Sequence, residues 1–159
     1  MIFRRRFDTT RAELFATWTD AARLALWFGP SSATGTVGQL DAQTGGTWRV
    51  EFRPTDNGPY ALKGVYAEVV ANERLVFTMD VSEHPDAWHA LLDSMRDTPT
   101  GARAGGIVTT VEFADAEDKT VVTVSQRFDE PGDRDAHYHM GSPKEWGERF
   151  DRLERLLAR

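Results

Sequence analysis

The residues best suited to acid–base or metal chemistry lie in one short stretch, "DRDAHYHM", at positions 133–140. Asp133 and His137 are four residues apart, as are Asp135 and His139, so each pair would share one face of a helix. A carboxylate and an imidazole at this spacing could hold a divalent metal ion, or the carboxylate could tune the imidazole as a general base. Aspartates followed by histidines are also typical of a solvated helix start.

Two observations favour the structural interpretation of this stretch. A further ligand could come only from His84 or His89, and the chain has no cysteine to supply a thiolate. We therefore predict no metal site and no cofactor, and we expect His137 or Tyr138 to lie at the rim of a cavity.

Other catalytic motifs are absent from the sequence. There is no Gly-x-Ser-x-Gly elbow, and "GTVG" and "GARAGG" lack the strand–helix context of a phosphate or dinucleotide loop. By strand alternation Arg49, Glu51, Arg53 and Glu112 are expected to face water. With the opposite phase they would line a cavity and indicate acid–base work, so the sequence leaves enzymatic activity open.

The composition describes one globular domain, assigned to residues 1–159, with 40% hydrophobic and 28% charged residues. Its 19 Lys and Arg against 25 Asp and Glu give a net charge of −6, which argues against nucleic acid and anionic membranes as partners. The start, "MIFRRRFDTT", lacks the apolar stretch of a signal peptide. We expect a cytoplasmic protein, either a monomer or a weak homodimer.

The first elements are one strand and two short helices. "FRRRF" (3–7) alternates as a strand, and "TRAE" (10–13) is a capping box at a helix start. Asp20 can cap a second helix, which Gly29 and Pro30 must end.

Six strands are predicted to follow. In "TWRVEF", Trp48, Val50 and Phe52 alternate with polar residues, which predicts a sheet with one dry and one wet face. "DNGP" (56–59) is a strong turn signal. Residues 82–106 interrupt the strands with a short amphipathic helix around Trp88 and the glycine-rich "TPTGARAGG", and we predict that they form a lid.

The C-terminal segment has the apolar stripe of an amphipathic helix, formed by Trp146, Phe150, Leu153 and Leu157. Ser142 and Glu145 match a capping box with Pro143 at the first helical position, and Pro143 cannot donate to the turn before it, so a kink or split is predicted near Gly141 to Pro143. Glu145 and Arg149 lie one helical turn apart. We assign this pair, and the similar i, i+4 acid–arginine pairs that follow it, to the solvent-exposed face of the helix.

This order of elements, with one long helix closing onto an antiparallel sheet, resembles the START/Bet v 1-like helix-grip fold. Four stretches resemble the activator of Hsp90 ATPase homologue 1-like (Aha1-like) family within that superfamily. They are the capped helix leading to Trp27-Phe28-Gly29-Pro30, the turn with Asp41, Gly45, Gly46 and Trp48, the segment with Gly64, Glu68 and Glu73-Arg74-Leu75, and the closing helix with Trp146, Phe150 and Leu153.

The resemblance covers nearly the whole chain except residues 82–106. It implies an α+β helix-grip fold: a curved antiparallel sheet of about seven strands, two short helices after the first strand, and a long C-terminal helix over the sheet. The chain departs from the family pattern at Glu145, since a Gly-Trp pair is usual where Glu145 precedes Trp146.

A sheet curved around a helix encloses a space, and the residues predicted to line it are mainly apolar and aromatic. They are Trp27, Phe28, Trp48, Val50, Phe52, Tyr60, Leu62, Phe77, Met79, Trp88, His137, Tyr138, Met140 and Trp146. Flexible methionines beside rigid rings suit adaptable apolar sites. We therefore predict the binding of a small apolar, ring-containing ligand, with Trp27 and Phe28 at one end of the cavity.

Two other functions stay open. One is an enzyme of the polyketide-cyclase or aromatase type, in which a tyrosine or histidine moves protons. The other, implied by the family name, is an Hsp90 co-chaperone-type interaction module, although the sequence shows no separate extended docking domain.

Overall fold

The structure is a computed structural model that describes residues 1–31, 33–54 and 59–159. Its elements are β1 (Ile2–Phe7), α1 (Arg11–Thr19), α2 (Ala21–Trp27), β2 (Ala33–Leu40), β3 (Thr47–Pro54), β4 (Tyr60–Val70), β5 (Arg74–Met79), α3 (Asp86–Ser94), β6 (Ile107–Ala116), β7 (Lys119–Phe128), α4 (Asp133–His139) and α5 (Ser142–Leu157). The turn predicted at "DNGP" lies outside the described residues, apart from Pro59.

The strands form one antiparallel sheet in the order β1-β7-β6-β5-β4-β3-β2. Strands β2 to β7 follow one another as neighbours, while β1 crosses to the far edge and pairs with β7. Two helices follow β1, and α5 closes the chain. The predicted α+β helix-grip architecture is confirmed.

The strand register places the apolar residues on one face of the sheet. Val50 lies opposite Leu62, and Val111 lies opposite Val124, so the side chains of each pair point the same way. All four side chains are buried. This inner face is the floor of the core.

Helices α1, α2 and α5 cover the inner face. Phe15 of α1 packs edge-on against Phe113 with ring centroids 5.5 Å apart, and Phe150 of α5 packs against Phe7 at 5.8 Å. None of the described helices is long and apolar enough to cross a membrane.

The two predicted N-terminal helix caps form. Thr10 Oγ1 accepts a hydrogen bond from the Glu13 amide at 3.2 Å, and Asp20 Oδ1 accepts one from the Arg23 amide at 2.9 Å. The Glu13 carboxylate is held by an ion pair with Arg23, at 2.9 Å. It is not held by the reciprocal hydrogen bond from the Thr10 amide that a complete capping box would have.

The C-terminal helix is divided, as predicted. Helix α4 ends at His139 and α5 begins at Ser142, with Gly141 between them at φ +102°. A side chain is strained in this left-handed region, which glycine occupies freely. The predicted capping role of Ser142 is wrong, because Gly141 is the residue before the first helical turn and Ser142 makes no capping bond.

Candidate ligand-binding site

A small cavity lies between the inner face of the sheet and the first two helices. Its volume is about 10 Å³, which is room for about one water molecule. Its lining comes from α1, α2, β3, β4 and β5 and consists of Trp18, Leu24, Phe28, Trp48, Tyr66, Leu75 and Phe77. Aromatic rings therefore surround the space from both layers of the fold.

Three of the predicted site residues are in this lining. Trp48 packs edge-on against Phe77 with ring centroids 5.6 Å apart, and Phe28 lies 6.5 Å from Trp48. Trp27 is buried beside them, and its Nε1 donates to the Thr17 carbonyl at 3.0 Å. Trp27 is thus fixed as a part of the core wall, while Phe28 faces the cavity.

Five more predicted residues are buried in the adjoining core and do not appear in the lining: Val50, Phe52, Leu62, Met79 and Trp146. The Trp146 ring stacks on Phe3 at 5.5 Å and on Trp18 at 6.3 Å. The Met79 sulfur accepts a hydrogen bond from Thr109 Oγ1 at 3.1 Å.

Another predicted group gathers around His84. The Trp88 ring lies 4.5 Å from His84 and 5.8 Å from His137, and Tyr60 lies 5.1 Å from His84. We call Tyr60, His84, Trp88, His89 and His137 the histidine cluster. Its members come from α3 and the loop before it, from α4, and from the first residue of β4.

Tyr138 and Met140 belong to neither group. Tyr138 is 58% exposed, because it follows the buried His137 by one residue and therefore points about 100° away around the helix. Met140 is half-buried at the end of α4. The structure places Tyr138 at the surface.

The sequence prediction omitted four lining residues: Trp18, Leu24, Tyr66 and Leu75. Signals for them existed. Trp18 lies four residues after Leu14 on the buried side of α1, and Leu75 alternates with Phe77 along β5. Periodicity predicts which residues are buried, but it does not show which buried residues leave a space between them.

Two lining residues carry a buried polar atom that is not satisfied. Neither Trp18 Nε1 nor Trp48 Nε1 has a hydrogen-bond acceptor among the described residues. An indole N–H can only donate, and buried donors are nearly always paired in folded proteins. These two unpaired donors therefore belong to residues of the cavity wall, and Trp48 Nε1 lies on the side of Gly64.

Gly64 makes room for the Trp48 indole. The two residues are opposite each other in the β3–β4 register. A Cβ placed on Gly64 would overlap the Thr78 carbonyl oxygen and lie 2.6 Å from Trp48 Nε1. Only glycine fits at this point of the sheet.

Arg149 was assigned to the wet face of α5, and this prediction is wrong. Arg149 is only 7% exposed. Its guanidinium carbon lies 4.8 Å from the ring centroid of Trp146 and 5.0 Å from that of Phe28. The pair with Glu145 forms, at 2.5 Å, but at the aromatic edge of the core. On the next turn, Arg152 donates to the carbonyls of Trp27 and Gly29.

The aspartates and histidines of α4 are separated by the fold. Asp133 is buried against Arg96, whose Nε and Nη2 donate to Asp133 Oδ1 at 2.8 and 2.7 Å. His137 joins the histidine cluster, while Asp135 and His139 are exposed. Within the described ranges, no three His, Asp or Glu side chains are grouped so that they could hold a metal ion.

The Arg96–Asp133 pair also fixes the segment 82–106. Arg96 Nη1 donates to Asp93 Oδ1 at 2.6 Å and to the Ala102 carbonyl at 2.9 Å, and the Gly105 amide donates to Asp133 Oδ2 at 2.8 Å. A buried ion pair with this many hydrogen bonds is well compensated. Segment 82–106 and α4 are therefore joined into one unit.

The histidine cluster is held in its neutral form. Burial lowers the pKa of His84 to about 4 and the pKa of His137 to about 4. His84 Nδ1 donates to the Ala61 carbonyl at 3.1 Å, and the Ala104 amide donates to His89 Nδ1 at 3.0 Å. An imidazole nitrogen that accepts a hydrogen bond carries no proton, so His89 is neutral as well.

The outer face of the sheet carries charges, as predicted from the alternation in β3. Arg49 pairs with Glu51 at 3.2 Å and with Glu83 at 2.7 Å. The Arg49 guanidinium, followed by the Lys63 ammonium, lowers the pKa of Glu83 to about 2. These charged groups face away from the cavity.

The family model of the "Activator of Hsp90 ATPase homolog 1-like protein" matches residues 8–158 of the chain. The chain belongs to this family. The fold of the Aha1-like family supports a ligand-binding or co-chaperone-type module in general. The chain differs from the family pattern at Glu145 and in segment 82–106. In the structure Glu145 lies beside Arg149, and segment 82–106 lies beside α4.

Solved structures share the fold of this Aha1-like chain. A crystal structure of a protein from Rhodobacter sphaeroides is 20% identical, with a TM-score of 0.80 over 99% of this chain and 90% of the other. A solution structure from Arthrobacter aurescens is 19% identical, with a TM-score of 0.80 and coverages of 99% and 84%. The AHSA1 protein from Silicibacter pomeroyi is 20% identical, with a TM-score of 0.73 and coverages of 99% and 96%. No protein of curated function matches the chain.

Proposed function

We propose that this protein binds a small apolar, ring-containing ligand in the cavity between the sheet and helices α1 and α2, and not against helix α5 as the sequence suggested. The observation that carries the proposal is the pair of buried indole N–H groups, Trp18 Nε1 and Trp48 Nε1, in the lining of one aromatic cavity. In folded proteins the large majority of buried donors are paired. A ring compound that carries an oxygen acceptor would fill the space and satisfy them.

Binding requires the cavity to widen. Its volume of about 10 Å³ is far below the roughly 300–1,000 Å³ of a typical ligand pocket. We propose that segment 82–106 acts as the lid and that the break at Gly141 is a second gate. Because Arg96 joins this segment to α4 through Asp133, the lid and α4 would move as one unit.

The proposal favours binding over catalysis. A cyclase-type reaction needs a group that takes up a proton, and Tyr66 is the lining residue that titrates. Burial, followed by the charge of Asp41, raises the pKa of Tyr66 to about 12, so its hydroxyl stays protonated at neutral pH and can donate to a ligand oxygen. A donor of this kind orients a ligand oxygen and is not a base.

The setting that accompanies this proposal is the cytoplasm, with the protein acting as a monomer or weak homodimer. Its partner is a small molecule and not nucleic acid or a membrane, which the net charge of −6 supports.

Two measurements test the proposal. Native mass spectrometry of protein purified from its own host should show a co-purifying small molecule. Adding that molecule to isotope-labelled protein should shift the indole N–H resonances of Trp18 and Trp48. The Trp27 resonance is the internal control, because its N–H already donates to the Thr17 carbonyl. If no molecule co-purifies and a library of ring compounds leaves both resonances unmoved, the protein is not a binding protein of this kind.

A further inference from the structure

Arg149 is a buried cation at the edge of the candidate site. Its side chain is 8% exposed, and its guanidinium lies against the rings of Phe28 and Trp146. Phe28 also lines the cavity. One aromatic ring therefore contacts both the cavity and the guanidinium.

The hydrogen-bonding edge of Arg149 is only half used. Nη2 donates to Glu145 Oε1 at 2.5 Å, whereas the neighbouring Nε is buried and has no acceptor among the described residues. A carboxylate that faces an arginine squarely takes two parallel N–H donors. Glu145 leaves one of them unpaired.

Glu145 can leave without creating a buried unpaired carboxylate. Its side chain is 40% exposed, so in the displaced state its charge would be solvated. A carboxylate that reaches Nε and Nη2 together would outcompete it.

The three side chains around Phe28 that have an unpaired donor all have the same kind of group, an N–H. Trp18, Trp48 and Arg149 each present an N–H, and each lies against the Phe28 ring. None of these three groups can accept a hydrogen bond. A ligand that fits them must bring acceptors, which excludes amines and other cations.

We propose that the ligand is a ring-containing carboxylate whose carboxylate binds the Nε–Nη2 edge of Arg149 and displaces Glu145, while its ring enters the cavity past Phe28. This inference rests on the proposed ligand-binding function and names its chemical class.

The test compares ring carboxylates of increasing size, benzoate, naphthoate and anthroate, with their uncharged primary amides, using calorimetric titration. The wild-type protein should bind the best acid about tenfold more tightly than its amide. Arg149→Gln should remove this preference, while Arg155→Gln, an exposed arginine on the same helix, should keep it.

A second variant protects the test against misfolding of Arg149→Gln. Glu145→Gln removes the competing carboxylate and should tighten binding of the acid about two- to fivefold without changing binding of the amide. A gain in affinity cannot come from a loss of folded protein. No gain in Glu145→Gln would overturn the carboxylate proposal.

Different results would overturn the carboxylate assignment and the ligand-binding function. Equal affinity for acids and amides in the wild-type protein overturns the carboxylate assignment and leaves the ligand-binding proposal standing. If neither the acids nor the amides bind at millimolar concentration, the ligand-binding proposal fails together with it.

Discussion

Buried nitrogen atoms without an acceptor distinguish the interior of this protein from an ordinary core. Trp18, Trp48 and Arg149 each have a buried N–H group with no acceptor among the described residues. The Phe28 ring lies against all three side chains. Leaving a buried donor unpaired costs about 1–3 kcal/mol. This is free energy that a ligand oxygen would recover, so the same residues that weaken the empty protein would strengthen the complex.

At the residue scale, Gly64→Ala tests the contact between the sheet and Trp48. The added Cβ would overlap the Thr78 carbonyl oxygen and crowd Trp48 Nε1, so we expect the free energy of unfolding to fall by about 3 kcal/mol. Gly147→Ala is the matched control. Nothing lies within 4 Å of its added Cβ, and alanine should stabilise helix α5 by about 0.5–1 kcal/mol. Similar stability of the two variants in urea unfolding would contradict the prediction.

Trp48→Ala and Trp146→Ala should each lower the free energy of unfolding by about 3–5 kcal/mol. Both rings are buried, at 4% and 3% exposure, one on the sheet and one on α5. Leu26→Ala is a control on α2, because Leu26 is 60% exposed and should change stability by less than about 0.5 kcal/mol. Losses below about 1 kcal/mol for both tryptophans would show that the phase of β3 or the docking of α5 is wrong.

At the scale of elements, segment 82–106 and α4 form one unit, and Gly141 separates α4 from α5. Gly141 ends it on one side at φ +102°, where a Cβ would meet nothing within 4 Å. Inside the unit, Arg96 and Asp133 are both buried and hydrogen-bonded to each other. The start of the unit is attached to the sheet by His84, which donates to the Ala61 carbonyl, and by Glu83, which pairs with Arg49, so opening as one body would break these two contacts.

Hydrogen exchange should show this behaviour. In the ligand-free protein, residues 82–106 should exchange faster than the central strands β5 and β6. Arg96→Met leaves Asp133 buried without its partner and should speed exchange in segment 82–106 and α4 together. Arg103→Met removes an exposed pair with Asp86 and hydrogen bonds to the Ser82 and His84 carbonyls, none of which reaches α4, so exchange in α4 should stay unchanged. Exchange in segment 82–106 slower than in the central strands would refute the lid.

The sequence predicted strands better than the surroundings of single charges. The alternation of Trp48, Val50 and Phe52 determined the phase of β3, since reversing it would bury Arg49 and Glu51. Arg149 was missed because its spacing from Glu145 matches a surface pair. However, it also lies three residues after Trp146 and four before Leu153, on the apolar stripe of α5. The Arg96–Asp133 pair could not be predicted, because its partners are distant in sequence and meet only in the folded chain.

At the scale of the whole molecule, stability should decrease in mild acid. His84 and His137 have folded-state pKa values of about 4 because they are buried, whereas an exposed histidine titrates near 6.5. Between these values the unfolded chain binds more protons than the folded one, so stability falls as the pH falls through this window. Each histidine contributes up to about 3 kcal/mol to this loss.

A variant isolates the histidine contribution from that of the carboxylates. His137 faces Trp88 of α3, Phe128 of β7, Asp133 on its own helix, Glu145 of α5, and Arg96. His137→Phe keeps the ring packing and removes the titration, so its free energy of unfolding should depend less on pH between about 6.5 and 4. Substituting the exposed His139 by glutamine should leave the wild-type profile. Identical profiles for all three proteins would contradict the prediction.

The position of β1 at the edge of the sheet has a consequence for the order of assembly. β1 is the first of these elements to be made, yet among the described strands it pairs with β7, with Phe7 opposite Thr120 and Ile2 opposite Ser125. Hairpins between successive strands can form as soon as each is synthesised, whereas β1 must wait until all the other strands exist. Its apolar side chains Phe3 and Phe7 also pack on Trp146 and Phe150 of α5, the last of the elements to be made. We therefore expect folding of this domain to finish with the joining of its first and last elements, and a nascent chain stalled before β7 should leave β1 open to proteases.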